Sequence, residues 1–216
     1  MKLLVIGANG QIGKMAVDKI RKNTPHTPIA MIRNEQQVEQ FHKVNVETVI
    51  ADLEGDFEHA VKGKDGIVFT AGSGGHTGAD KTERVDREGA LKSIDYAKKH
   101  NVQRYIMVST LGIGLGPDKW PASMDHYFRA KAAADEYLIQ SGLTYTIIRP
   151  GRLTNESPKN KIELKEGSGS ITHAGDITRS DVAQLVVKCL DADNTNLKIL
   201  PVLQGEEQLE EAVATL

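Results

Sequence analysis

Short apolar runs alternate with amphipathic stretches along most of the chain. The runs Lys2–Ile6, Pro28–Ile32, Glu47–Ile50, Gly66–Thr70, Arg104–Ser109, Thr144–Ile148 and Leu197–Val202 have the length and β-rich composition of buried strands. Between them, apolar residues recur at helical spacing in Gln11–Lys22, Glu35–His42, Phe57–Val61, Lys81–Lys99, Met124–Ser141 and Arg179–Leu190, and Glu206–Ala214 forms a closing helix. Strands that alternate with helices predict repeated βα units and a mainly parallel α/β sheet. Thr178 or Ser180 is placed to cap the helix that begins at Arg179, and Gly142 to end the preceding one. Two stretches break the pattern. Gly72-Ser73-Gly74-Gly75-His76-Thr77-Gly78 follows the fourth strand, where glycine permits close approach to a ligand. The polar segment 151–175, with Gly167-Ser168-Gly169-Ser170, is assigned as a substrate loop, although its composition serves a surface connection equally well.

The chain has 216 residues, which predicts one domain with a sizeable core. A net charge of -2 supplies no basic field, so neither nucleic acid nor an anionic membrane is an expected partner. No apolar run approaches the ~20 residues of a membrane span, and Met1-Lys2 leads straight into a strand. These features predict a cytoplasmic protein, monomer or homodimer, that acts on a small molecule. The single cysteine, Cys189, lies on an apolar helix stripe and reads as a buried, inert thiol. Seven histidines are scattered without ligand spacing, so no metal site is expected.

The strongest chemical signal is at the start. A buried strand runs into Gly7-Ala8-Asn9-Gly10-Gln11-Ile12-Gly13, which opens a helix. Gly7 allows a sharp turn, Gly10 lets a pyrophosphate approach the backbone, and Gly13 lets helix and strand pack closely, while the helix N-terminus faces the negative charge. Asn9, Gln11 and Ile12 belong to the same cradle. The spacing is a G-x-x-G-x-x-G variant of the dinucleotide fingerprint. After the second strand, Arg33 stands where an NAD site places an acid, which favours NADP(H) through a pairing with its 2′-phosphate. Lys14 is a second candidate for that phosphate. Asp52-Leu53 is placed to hold the adenine or simply to form a turn, and Ala71-Gly72 continues the cofactor site after the fourth strand.

Further motifs occur in order: Val85-Asp86-x-x-Gly89, Tyr105-Ile-Met-Val-Ser109, Tyr127-x-x-x-Lys131, Ile148-Arg149-Pro150-Gly151 and Ile177-x-Arg179-x-Asp181-Val182-Ala183. Together with the glycine turn they resemble the atypical short-chain dehydrogenase/reductases, the small NAD(P)-binding proteins often labelled epimerases or dehydratases. The resemblance covers nearly the whole chain. It implies a Rossmann doubly wound sheet of order 3-2-1-4-5-6 with a seventh strand, and NADP(H) along the C-terminal strand edges. It also departs from the family, since Asp86 stands where extended relatives often carry Asn. Only 65 residues follow Gly151, fewer than the substrate domain of sugar-nucleotide enzymes, so flavin, biliverdin and quinone reductases of the group are the better guide.

Tyr127 and Lys131 share one helix face at i and i+4. With five Tyr and 18 Lys in the chain, chance alone gives about 0.4 such pairs, so position carries the reading: the pair follows the fifth strand at the start of a long helix, as in the family. In the role this implies, Lys131 lowers the phenol pKa and holds the nicotinamide ribose, Tyr127 passes a proton to the substrate oxygen, and Ser109 donates a hydrogen bond to it. Other residues invite roles. Trp120 could wall a planar acceptor or pack locally. His76 and His126 could line the substrate mouth, and Arg149, Arg152 and Lys161 could hold an acidic substrate. Two functions stay open: an NADPH-dependent reductase of a small carbonyl, quinone, flavin or tetrapyrrole, and a catalytically silent NADP(H) sensor.

Overall fold

The computed structural model describes residues 1–74 and 78–216. Seven strands form a parallel sheet: β1 (Lys2–Ile6), β2 (Thr27–Ile32), β3 (Glu47–Ile50), β4 (Gly66–Phe69), β5 (Arg104–Val108), β6 (Tyr145–Pro150) and, after three strands described below, β10 (Lys198–Gln204). Their order is β3-β2-β1-β4-β5-β6-β10, the doubly wound order with the seventh strand at its end. The chain reverses direction across the sheet between β1 and β4, which pair through Leu3↔Gly66 to Ile6↔Phe69. Such a switch point opens a crevice at the C-terminal strand edges, where ligands bind in folds of this kind.

The helices are α1 (Gln11–Asn23), α2 (Val38–His42), α3 (Glu58–Val61), α4 (Ala79–Lys81), α5 (Ala90–Lys99), α6 (Asp125–Ile139), α7 (Arg179–Cys189) and α8 (Leu209–Ala214). Because β1 is buried on both sides, its side chains divide by parity. Leu3 and Val5 join the core under α1, α2, α7 and α8, whereas Leu4 and Ile6 join the one under α3, α5 and α6. Cys189 is fully buried in the first of these cores, and burial pushes its thiol up to about 12. Gly142 ends α6 in the left-handed region at φ +79°. Thr178 caps α7: its Oγ1 accepts from the Asp181 N–H at 3.0 Å.

Tertiary pairing adds to the sequence pattern in three places. The helix predicted from Lys81 to Lys99 is continuous but carries a π-helical segment, Thr82–Gly89, between α4 and α5. The segment 151–175 is partly strand. β7 (Arg152–Thr154) pairs in parallel with β9 (Asp176–Thr178), and β8 (Lys161–Leu164) adds antiparallel to β10. The closing helix begins at Leu209 rather than Glu206, because Glu207–Gln208 form β11 against β8. These strands, of two to four residues, are too short for a sequence pattern to separate from loop, even where Lys161–Leu164 alternates polar and apolar residues.

Candidate active site

The glycine turn is built from backbone. Gly7 sits at φ +81°, and a Cβ there would lie 2.6 Å from the Ala71 nitrogen; one on Gly13 would lie 2.2 Å from the Gly7 carbonyl oxygen. Both positions therefore exclude a side chain. Gly10 donates its N–H to that Gly7 carbonyl at 2.9 Å and is the N-cap of α1 without a side-chain cap, so the first-turn N–H groups of α1 keep no partner from within the helix. The first turn also carries no acid. This cradle fits a pyrophosphate.

Two cavities meet on the strip Thr70-Ala71-Gly72-Ser73 after β4. The first, of about 350 Å³, is lined by Gly7, Asn9, Gly10, Arg33, Asp52 and Leu53, among others. Arg33 is exposed at its rim, held through its backbone N–H by Gln37 Oε1 at 2.9 Å. Asp52 lines this cavity and is also a turn residue, accepting from the Glu54 N–H at 3.0 Å. Glu54 lines the same cavity, but Lys81 and Arg84 pair with it, the Lys81 hydrogen bond drawing its carboxyl below the usual range. Lys14 is exposed and does not line this cavity.

The second cavity, of about 740 Å³, gathers Gln11, Ile12, Ser109, His126, Tyr127 and Lys131 with Asp86 and Arg179. The sheet brings Ser109 from the end of β5 to the helix face that carries Tyr127, Lys131 and Asp135 at i, i+4 and i+8. Lys131 is 2% exposed and its Nζ donates to the Val108 carbonyl at 3.1 Å. Ser109 Oγ donates to Asp135 Oδ2 at 2.9 Å, and Arg149 Nε donates to the same oxygen at 2.9 Å. Burial pushes the Asp135 carboxyl up, against the opposing pull of Arg149 and Lys131.

This network alters two expected roles. With its proton directed to Asp135, Ser109 offers lone pairs to the cavity rather than a proton. Burial raises the Tyr127 phenol above the ordinary tyrosine range, and the Asp86 and Asp135 carboxylates add to the rise. The geometry therefore keeps the phenol protonated, a donor, where Lys131 was expected to lower its pKa.

Asp86 is the residue the sequence reading undervalued. It is 1% exposed; Oδ2 accepts from the Ser73 N–H at 2.8 Å, while Oδ1 has no hydrogen-bond partner among the described residues. The π-helical turn carries it into the cavity, and a Cβ on Gly89 would lie 2.9 Å from Leu53 Cβ, which shows how closely that turn packs. Its signal was the Val85-Asp86-x-x-Gly89 motif itself.

The basic residues expected to hold an acidic substrate are elsewhere. Arg149 is buried against Asp135, and Arg152 is exposed and paired with Asp176. Lys161 lies on β8 and is absent from the walls of both cavities. Arg179 lines the second cavity instead, its guanidinium donating to the Leu153 carbonyl at 3.1 Å and to Asn155 Oδ1 at 2.9 Å. Trp120 packs locally, 5.5 Å from the Phe128 ring centroid, and donates to the Gly112 carbonyl. His126 is exposed at the cavity wall, whereas His76 lies outside the described residues. Among the described residues, no three metal-ligating side chains cluster, and no helix is long and apolar enough to cross a membrane.

Comparison with known proteins agrees with this geometry. A family profile described as NAD(P)H-binding matches residues 7–193. The uncharacterised sugar epimerase YhfK of Bacillus subtilis is 42% identical over 224 residues, covering both chains in full. A solved structure from Bacillus halodurans, provisionally named an NAD-dependent epimerase/dehydratase, superposes with a TM-score of 0.93 at 42% identity, again over both whole chains. The oxidoreductase ylbE of Lactococcus lactis gives a TM-score of 0.85 at 30% identity, over 100% of this chain and 96% of that one.

Proposed function

The chain belongs to the NAD(P)H-binding family of atypical short-chain dehydrogenase/reductase-like proteins, and we propose that it is an NADPH-dependent reductase of a small carbonyl, quinone, flavin or tetrapyrrole. The observation that carries this reading is the shared strip Thr70-Ala71-Gly72-Ser73, which joins a cavity with an arginine rim to one that holds Tyr127 and Lys131. Arg33 and Asp52 would hold the adenosine of a dinucleotide on that strip, the α1 N-terminus would hold its pyrophosphate, and the larger cavity would take its nicotinamide end. The name of ylbE, an oxidoreductase, supports the reaction class.

Bound NADPH supplies the hydride; the chain supplies position and protons. The exposed Arg33 guanidinium, which has no acid partner among the described residues, suits a 2′-phosphate, and Glu54 in the same wall is already paired with Lys81 and Arg84. Lys131, fixed by the Val108 carbonyl, is placed to hold a ribose hydroxyl. Tyr127, kept protonated, donates to the substrate oxygen as charge develops there. Ser109, its rotor fixed by Asp135, accepts a hydrogen bond and so orients the donor beside it.

The test is NADPH consumption by the purified protein against quinones, flavins, tetrapyrroles, aldehydes and ketones, run beside Tyr127→Phe. A fall of about 100-fold or more with carbonyl acceptors supports Tyr127 as the acid. Turnover that survives with planar acceptors moves proton supply to solvent, where cofactor positioning suffices. NADPH binding without turnover on any acceptor replaces the reductase with a sensor.

A further inference from the structure

Six of the nine arginines pair with an acid: Arg21 with Asp18, Arg84 with Glu54, Arg87 with Glu83, Arg129 with Asp125, Arg149 with Asp135 and Arg152 with Asp176. Arg104 is buried among neutral oxygens of Thr146, Thr195 and the Cys189 carbonyl. The two that remain, Arg33 and Arg179, each line one of the two cavities, and among the described residues neither has an acid partner. Apart from Arg104, whose N–H groups are taken up by those neutral oxygens, the guanidinium groups without an acid partner are the two that face a cavity. An arginine in a concave wall with no protein counter-ion is suited to a bidentate anion from a ligand.

We infer that the substrate of the larger cavity carries a carboxylate, and that Arg179 binds it. This rests on the reductase reading above and narrows its acceptors to acids. The inference goes to Arg179 because, among the described residues, only NH1 of its guanidinium is engaged, by the Leu153 carbonyl and Asn155 Oδ1, which fixes the plane while leaving its other N–H groups. Asp86 supplies the polarity. It enters from the β4 side through Gly72 and Ser73, whereas Arg179 enters from the β6 side through Gly151 and Leu153, with β5 between them. Two strand spacings separate those walls by about 10 Å. A carboxylate is repelled from the unpartnered Asp86 oxygen and drawn to Arg179, so an acidic acceptor enters in one orientation, with its reducible group between them, beside Tyr127 and Ser109.

The experiment uses two aldehydes of one shape, 4-carboxybenzaldehyde and methyl 4-formylbenzoate, with NADPH as reductant. The wild-type protein is expected to prefer the acid in kcat/KM by about tenfold or more, and Arg179→Gln to lower that acid-to-ester ratio by about 30-fold. Arg179→Lys, which keeps the charge but not the fork, restores part of the ratio. In parallel, 4-methylbenzoate, which cannot be reduced, is titrated calorimetrically into the NADP⁺-loaded protein; binding is expected in the wild type and lost in Arg179→Gln.

Each contrary result has its own meaning. An unchanged ratio, or carboxylate binding that does not depend on Arg179, overturns the anion site while the reductase stands. Weaker NADPH binding in Arg179→Gln with the ratio intact also overturns it, because the arginine then serves the cofactor. No turnover with either aldehyde or with any quinone, flavin, tetrapyrrole or ketone of the acceptor panel, but benzoate binding that needs Arg179, overturns the reductase and leaves the anion site supported.

Discussion

The two cavities are made in different ways. The smaller one is built around backbone, a strand end, a glycine turn and a helix N-terminus within one βα unit, and is walled by residues after the neighbouring strands and by Lys81 and Val85. The larger one depends on side chains from distant segments, and Ser109 in its wall is backed by a buried charge network, Ser109–Asp135–Arg149, that ties β5, α6 and β6 together and continues from Arg149 to Ser168 Oγ at 2.7 Å. Backbone sites tolerate change around them but not at their glycines. Charge networks tolerate change at their rim, but removing one buried partner strands the other.

The largest expected effect tests the network. Arg149→Met leaves Asp135, which is 1% exposed, without its cation, and should cost about 3–5 kcal/mol in urea unfolding. Adding Asp135→Leu should recover most of that loss; a single change that costs under ~1 kcal/mol would show the pair to be solvated.

Next comes the backbone site. Gly13→Ala places a methyl against the Gly7 carbonyl, so stability should fall by about 3 kcal/mol, at the upper end for overpacking, and NADPH titration should show a matching loss of affinity. Near-normal binding would mean that the turn relaxes easily, which would erase the contrast between the two cavities.

A smaller and more selective effect is expected at the rim. Arg33→Ala should weaken NADPH binding by about 1.5–3 kcal/mol, the range for a charged hydrogen bond, and NADH binding far less. Equal losses for the two cofactors would remove the 2′-phosphate from Arg33. The smallest concerns the helix that presents Arg179. Thr178→Ala deletes its N-cap, with an expected cost of about 1 kcal/mol in thermal unfolding. Asp181 is fully buried and also accepts from the Lys159 and Asn160 N–H groups. A much larger loss would therefore show the 159–160 turn leaving with the cap.

The glycine turn, the seven parallel strands and most helices were legible because their signals are local: a strand's apolar run, a helix's period, and three glycines at fixed offsets. Asp181 and Arg179 were legible as a motif but not as roles, since nothing in the spacing says that one holds the 159–160 turn and the other faces a cavity. Trp120 was open between ligand wall and local packing, and the Phe128 ring decided it. Lys161–Leu164 and Glu207–Gln208 were read as loop and helix start, because strands this short take their identity from the partners they pair with.

By itself the sequence determined a doubly wound α/β chain with a dinucleotide cradle at its N-terminal end. Those features follow from hydrophobic period and glycine conformation, which act between residues close in sequence. Tertiary structure alone decided which charges are spent and which remain. Arg149, Arg152 and Arg179 look alike in the chain, yet one is locked to a buried acid, one is paired at the surface, and one faces the larger cavity. Coulomb energy depends on distance and local dielectric rather than on spacing along the chain, and only the folded sheet sets those two quantities.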